Sequence, residues 1–425
     1  MKVGICSLGC KVNIYESEYV ENLLKNHGYE IVSFEDEADI YIINTCSVTN
    51  ESDRKSRKMI HQAKRRNDQA IIIVMGCYSQ VKSDEIDADI ILGNKDKSRI
   101  VEYIEEYLDN HLAIKKIYDL RKVNDFEAMN ITSFDNHTRA FVKIQDGCNA
   151  FCSYCIIPYT RGIIRSKKFD DVVMEVTNLV KNGYQEIVLT GIHTGKYGMD
   201  LENMNLEKLL RRLVKIPGIY RIRLSSIEIN EITSGILDLI QNSKVIARHF
   251  HIPLQSGSER ILKLMNRRYD LTYFKEFVQK IRSLDSDISI TTDLIVGFPG
   301  ETDLDFQETI KTLEEIHFTK IHTFPYSPRE GTPASKMDNQ VDGITKKKRV
   351  KQILQMSFEQ EREFYQKYVG KVLDGLTEVR RDGKVVVLTS NYISVFVDGS
   401  YQSNQIVSVL IERVDNDNKV YGKVV

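Results

Sequence analysis

Gly147-Cys148-Asn149-Ala150-Phe151-Cys152-Ser153-Tyr154-Cys155 reads CxxxCxxC and follows the apolar run 140–144. With seven Cys in 425 residues, chance yields this spacing roughly 0.002 times per chain, so the three thiols form a set. A short loop of this kind can wrap three thiolates around one face of an iron–sulfur cubane. The fourth iron is then left free for a small molecule, whereas a fourth Cys would close the cluster for electron transfer. A structural zinc loop is the alternative, and it would have to recruit a further ligand such as His137.

Around that loop the chain alternates strand-like and helix-like patterns. Strands are expected at 140–144, 187–190, 220–224, 247–251, 288–295 and 321–324, and helices near 170–182, 205–215, 230–241, 271–284 and 302–316. Six βα repeats predict a partial parallel barrel, short of the eight units of a closed one, with the CxxxCxxC loop at the carboxyl end of its first strand, where barrel sites are built. A long helix is expected from 346 to about 368. The last stretch changes character: apolar runs at 385–388, 393–397, 406–411 and 420–425 are split by turn residues and predict a small antiparallel, OB-like β-barrel.

Upstream, apolar runs at 3–8, 40–43, 71–75 and 90–92 alternate with helical stretches at 15–26, 52–66 and 97–108. This is repeated βα, so a small doubly wound domain is expected. Cys10, Cys46 and Cys77 each fall just past one of these strands. The carboxyl ends of neighbouring parallel strands share one crevice, so the three distant thiols are expected to converge into a second three-cysteine site. Cys6 lies inside a strand and reads as an ordinary buried thiol. Asn13, Glu16 and Ser17 follow Cys10 at a helix start, where they read either as orienting groups or as capping residues.

Composition narrows the function. Lys plus Arg number 59 against 60 Asp plus Glu, which excludes a globally basic nucleic-acid binder and leaves only local patches. Two such runs stand out: Arg54, Lys55, Arg57, Lys58, Lys64, Arg65 and Arg66, and Lys346, Lys347, Lys348, Arg349 and Lys351. In the terminal β unit, RNA contact would rest on Arg380, Arg381 and Lys384 and on aromatics such as Tyr392 and Phe396, which could equally be core. An odd number of Cys in a long chain disfavours a disulfide framework. The longest apolar run, 70–81, is too short to span a membrane, and the N-terminus lacks a signal-peptide pattern, so a cytoplasmic protein is expected.

With Tyr154 before its last Cys, the CxxxCxxC loop resembles the cluster loop of radical S-adenosylmethionine (SAM) enzymes. Leu8-Gly9-Cys10-Lys11-Val12-Asn13, Asn44-Thr45-Cys46 and Gly76-Cys77-Tyr78-Ser79-Gln80 resemble the three motifs of the methylthiotransferases in that superfamily. The LGCKVN form and the stretch 139–148 resemble the MtaB-type tRNA methylthiotransferases, and the likeness extends to a C-terminal TRAM-like unit. It implies residues 1–112 as the methylthiotransferase N-terminal domain, 113–135 as a connector, 136–368 as the radical SAM domain and 369–425 as an RNA-binding domain.

The resemblance further implies two 4Fe-4S clusters, a catalytic one on Cys148, Cys152 and Cys155 that takes SAM, and one on Cys10, Cys46 and Cys77 that holds the sulfur to be inserted. SAM would lie along the rim of the barrel, against Tyr154, Thr190, Gly191, Ser225, Ser226, Glu228, Gln255, Ser256 and Gly297. Glycines there would admit a ligand, and hydroxyls and Glu228 would bind ribose and ammonium. The implied reaction is methylthiolation at carbon 2 of N6-threonylcarbamoyladenosine 3′ of the tRNA anticodon. That carbon–hydrogen bond is neither acidic nor electrophilic, so radical chemistry carried by cofactors suits it better than acid–base catalysis. The implied partners are a tRNA anticodon stem-loop and a flavodoxin- or ferredoxin-type reductant, with the protein acting as a monomer away from membranes. Within the class, isopentenyladenosine in tRNA or a ribosomal-protein aspartate are alternative substrates. A non-catalytic iron–sulfur RNA-binding regulator is the alternative outside it.

Overall fold

The structure, a computed structural model, describes residues 1–134 and 137–425. The boundary expected between connector and barrel, at 135/136, lies outside the described residues. The N-terminal sheet contains β1 (Lys2–Ser7), β2 (Glu30–Val32), β3 (Ile40–Thr45), β4 (Ile71–Gly76), β5 (Ile90–Leu92) and β6 (Ile114–Lys116). All pairs are parallel, in the order β2-β1-β3-β4-β5-β6. Every residue of β3 and β4 is buried, as expected of central strands covered on both faces. The two edge strands, β2 and β6, were not anticipated. Each is three residues long with only partial burial, too short for a periodicity to show. The segment expected to be a connector therefore begins as a strand of this sheet.

The second sheet system contains β7 (Ala140–Asp146), β8 (Arg165–Ser166), β9 (Glu186–Gly191), β10 (Arg221–Leu224), β11 (His249–His251), β12 (Ser289–Val296) and β13 (Lys320–Pro325). It runs β10-β9-β7-β8 and β11-β12-β13, and a parallel bridge from Ile222 to Ile246 links the two pieces. The six expected strands are all present in a partial barrel. The short strand β8 is an addition and folds back antiparallel on β7. The C-terminal unit is a closed barrel of β14 (Val372–Thr377), β15 (Val385–Thr389), β16 (Ser394–Val397), β17 (Ile406–Val414) and β18 (Val420–Val424). Strand β14 was missed, and the barrel is not wholly antiparallel, because β16 and β18 pair in parallel to close it.

Two interfaces join these parts. Helix α1 (Lys11–Asn26) runs between the N-terminal sheet and the partial barrel, and its buried Tyr15 hydroxyl lies 2.6 Å from Met129 O and 2.8 Å from the Glu175 carboxylate, within hydrogen-bond reach of both. The C-terminal barrel caps the amino ends of β9 and β10. There Arg221 donates to Leu388 O and Arg223 to Thr389 O and Ser390 O, while both hold the buried Glu186.

Candidate active site

The CxxxCxxC loop is held by its backbone. Cys148 N–H donates to Gly162 O at 2.9 Å, Ser153 N–H to Met265 O at 3.1 Å, and Ala334 N–H to Ser153 O at 2.8 Å. Gly147 has a φ of +74°, and a Cβ there would lie 1.8 Å from Ile163 O, so only Gly lets the loop close against that carbonyl. Burial pushes the Cys155 thiol up to about 12, with the nearby Cys152 and Cys148 thiols adding to the effect. His193 Nδ1 lies 3.3 Å from Cys148 Sγ, and its Nε2 is 2.7 Å from Glu231. Arg267 donates to Cys152 Sγ at 3.4 Å and pairs with Glu228.

The rim residues divide into two groups. Tyr154, Glu228 and Arg267 gather around Cys152 and Cys155. Burial raises the Tyr154 phenol, Arg267 opposes this, and both thiols and Glu228 reinforce it. Ser225 is buried with its hydroxyl unbonded, a polar atom left available for a ligand. Thr190 is buried, Ser226 is exposed and Gln255 is half-buried with a left-handed φ of +66°.

Gly191, Ser256 and Gly297 each meet protein groups at the rim. Gly191 packs on Gln145, which donates to Asp146 O and Gly147 O and so braces the cysteine loop. Ser256 Oγ accepts from Ser258 N–H. Gly297 N–H donates to the Glu301 carboxylate, and the place of its missing side chain is taken by Lys346. Arg267 and His193 were not anticipated, because nothing in their local sequence separates them from ordinary surface residues. His137 packs edge-on against Phe134 and Phe141, among aromatic rings.

The second site is assembled from three strand ends. Gly9, at φ +96°, admits the Cys46 side chain, whose Cβ and Sγ would both be 2.7 Å from a Cβ at that position. Asn13 ties the loops together: its Nδ2 donates to Leu8 O at 2.7 Å and Thr45 O at 3.0 Å, and its Oδ1 accepts from Cys10 Sγ. Asn44 Nδ2 donates to Asn13 O and to Ser17 Oγ. Cys77 opens the short helix Cys77–Lys82 and accepts from Asn94 Nδ2 at 3.4 Å.

Burial pushes the Cys46 thiol up to about 11, with the Cys77 and Cys10 charges contributing. Cys10 is exposed, and the packing around its sulfur raises its pKa as well. Cys6, packed beside Glu35 and Arg66, is not in this group.

A buried charge network connects the sites. Six residues after Cys155, at the end of the helix Ile157–Arg161, Arg161 donates to Asn13 Oδ1 at 2.6 Å and Glu16 Oε1 at 2.6 Å, and reaches Asp146. Glu16 also accepts from Lys143 at 2.7 Å and pairs with Lys97. Burial opposes ionisation of Glu16, but Arg161, Lys143 and Lys97 hold its carboxyl well below the usual range. Asn13, Glu16 and Ser17 are thus the frame of the second site rather than simple caps.

The donor sets fit iron–sulfur clusters. Each is sulfur alone, and its thiols resist joint ionisation unless a cationic group holds them. Among the described residues, no group of three or more His, Cys, Asp or Glu is placed so that it could hold a single metal ion.

The basic runs are partly spent in local pairs. Arg54 pairs with Glu51, Lys64 with Asp87, and Arg66 with Glu35, while Arg349 is buried against Glu301 and Asp303. Lys55, Arg57, Lys58, Arg65, Lys347, Lys348 and Lys351 remain exposed. Tyr392 is not an exposed RNA platform: it stacks on His249 of the partial barrel, with centroids 4.5 Å apart. No helix among the described residues is long and apolar enough to cross a membrane.

A partial barrel with CxxxCxxC after its first strand defines a radical SAM enzyme, and residues 142–313 match the Radical SAM superfamily. Residues 2–93 match the uncharacterized protein family UPF0004. The threonylcarbamoyladenosine tRNA methylthiotransferase MtaB of Bacillus subtilis (strain 168) is 41% identical, over 94% of this chain and 90% of the relative. Its namesake in Aquifex aeolicus (strain VF5) is 42% identical, over 97% and 100%. A tRNA-2-methylthio-N(6)-dimethylallyladenosine synthase of Alkaliphilus oremlandii (strain OhILAs) is 36% identical, over 89% and 82%. The chain belongs to the radical SAM methylthiotransferase family. In fold alone it is similar to the radical SAM methyltransferase TsrM of Kitasatospora setae, solved with cobalamin and a [4Fe-4S] cluster (TM-score 0.58, 13% identity, 79% of this chain and 76% of that one).

Proposed function

We propose that this protein adds a methylthio group at carbon 2 of N6-threonylcarbamoyladenosine 3′ of the tRNA anticodon. The observation that carries this reading is near full-length similarity, at 36–42% identity, to five enzymes bearing that activity in their names. Cys148, Cys152 and Cys155 hold one 4Fe-4S cluster, and Cys10, Cys46 and Cys77 hold the other. When bound, these groups supply reductive cleavage of SAM at the first site and the sulfur for insertion at the second.

The chain's own residues position the reactants. Arg267 holds Glu228 beside Cys152, leaving the Glu228 carboxylate and the unbonded Ser225 hydroxyl to receive the polar groups of SAM, with Tyr154, Thr190 and Gln255 alongside. Arg161 joins the loop after Cys155 to Asn13 and Glu16 and so keeps the two sites in register. Residues 369–425 and the exposed lysines of Asn50–Arg66 carry the anticodon stem-loop, whose target base must be splayed from its stack. The enzyme works as a cytoplasmic monomer with a flavodoxin- or ferredoxin-type electron donor.

The test is mass spectrometry of tRNA nucleosides from cells lacking the gene. The methylthiolated threonylcarbamoyl nucleoside should vanish and return with the wild-type gene but not with Cys152→Ala. An unchanged nucleoside would overturn the reading.

A further inference from the structure

At the amino ends of the partial-barrel strands, side chains from all three parts of the molecule meet. Tyr392, from the C-terminal barrel, stacks on His249 and lies under Arg223, whose guanidinium is 4.6 Å from its ring. Arg139 approaches from the start of β7, donating from Nε to Glu378 at 2.7 Å. Lys11, the residue after Cys10, enters from α1 and lies within electrostatic range of Tyr392, Arg139, Arg223 and Glu186.

The charges here do not pair off. Arg223 is matched by Glu186, and Arg139 by Glu378 through Nε and by Glu186 at 3.7 Å through Nη1, but the Lys11 ammonium has no hydrogen bond or ion pair among the described residues. Two further buried nitrogens make no hydrogen bond: Arg139 Nη1, which has only its ion pair with Glu186, and His249 Nδ1. A half-buried cation without a directly paired counter-ion is costly, and an ammonium beside a guanidinium nitrogen that still lacks a hydrogen bond is the chemistry that binds a carboxylate.

The position also suits the substrate, and here the inference rests on the function proposed above. In adenine, carbon 2 and the carbon bearing N6 flank the same ring nitrogen. A base presenting carbon 2 to the Cys10 site therefore carries its N6 substituent close by, and a threonylcarbamoyl substituent ends in a carboxylate. We propose that Lys11, with Arg139 Nη1 and the Tyr392 hydroxyl, receives the carboxylate of the N6 substituent. These residues set the choice of an amino-acid-bearing base over one with an apolar N6 group. A site built around unpaired donors rejects a ligand that cannot satisfy them.

The test uses anaerobically reconstituted enzyme and anticodon stem-loop RNAs carrying threonylcarbamoyladenosine as the free acid, as its methyl ester, or replaced by dimethylallyladenosine. The wild type should favour the acid over the ester by about 10- to 100-fold in kcat/KM. Lys11→Met should reduce that preference to within about threefold, and Lys11→Arg should keep most of it. Because the ratio compares two RNAs on one preparation, partial cluster loading cancels. If Lys11→Met loads no iron, Tyr392→Phe decides, with the preference expected to fall several-fold.

Full preference retained in Lys11→Met, or in Tyr392→Phe where that variant decides, would overturn the proposal while leaving the substrate assignment intact. So would a wild type indifferent to the ester. Turnover of the dimethylallyl RNA with none of the threonylcarbamoyl RNA would overturn the substrate assignment itself, and the proposal with it.

Discussion

The two cysteine sites reach the same composition by different routes. In one, three thiols lie within eight residues and a local loop presents them, fastened by backbone hydrogen bonds to Gly162, Met265 and Ala334. In the other, the thiols are 36 and 31 residues apart and meet only because β1, β3 and β4 are adjacent parallel strands. The first site should tolerate changes elsewhere in the chain. The second depends on a buried frame of Asn13, Asn44, Glu16 and Arg161 that spans the sheet and the barrel. A contiguous loop carries its own geometry, whereas a dispersed site is only as ordered as the packing that assembles it.

The largest expected effect separates the two functions. Cys152→Ala should abolish SAM cleavage, a loss of more than about a thousandfold, while roughly half the iron remains on the second site. Cys46→Ala should still release 5′-deoxyadenosine yet insert no sulfur. Iron near zero in Cys152→Ala would show that the sites are not independent.

Next comes the frame. Glu16→Gln leaves Lys97, Lys143 and Arg161 without their shared anion and should cost about 3–5 kcal/mol in thermal unfolding. The sign with pH follows from its depressed pKa. The Glu16 contribution is fully present above the unfolded value of about 4.3 and is lost as pH falls below it toward the folded value. The variant's stability deficit should therefore shrink on acidification below about pH 4, and a constant gap down to pH 2 would contradict the role given to Glu16.

Gly9→Ala places a methyl 2.7 Å from Cys46 Sγ at a positive φ and should cost about 1–3 kcal/mol. Iron should be lost from the second site first, as read by the iron count against retained SAM cleavage. The smallest effect is expected for Arg267→Met, which removes the contacts to Cys152 and Glu228. SAM affinity should weaken about tenfold by calorimetry, with both clusters in place.

The N-terminal sheet and the partial barrel were legible because their central strands are long and apolar, and β3 and β4 announce themselves as unbroken Ile-rich runs. Strands β2 and β6 were not, since three-residue edge strands carry no pattern. Strand β14 was missed because Val372–Thr377 includes Asp374 and Gly375, which break the apolar alternation. Arg267 and His193 escaped for another reason: a cation or imidazole gains meaning only from the sulfur it faces.

Sequence alone determined the CxxxCxxC loop, because spacing within one short loop is itself a geometry. It also placed Cys10, Cys46 and Cys77 at strand ends, since the βα alternation sets where each strand stops. Only the tertiary structure decided that Glu16, set in a helix start, would anchor Lys97, Lys143 and Arg161 between the two sites. It likewise decided that Tyr392 would turn into the partial barrel rather than out to solvent. Those partners are far apart along the chain. Buried charges and stacked rings are chosen by the packing of whole elements, which no local pattern encodes.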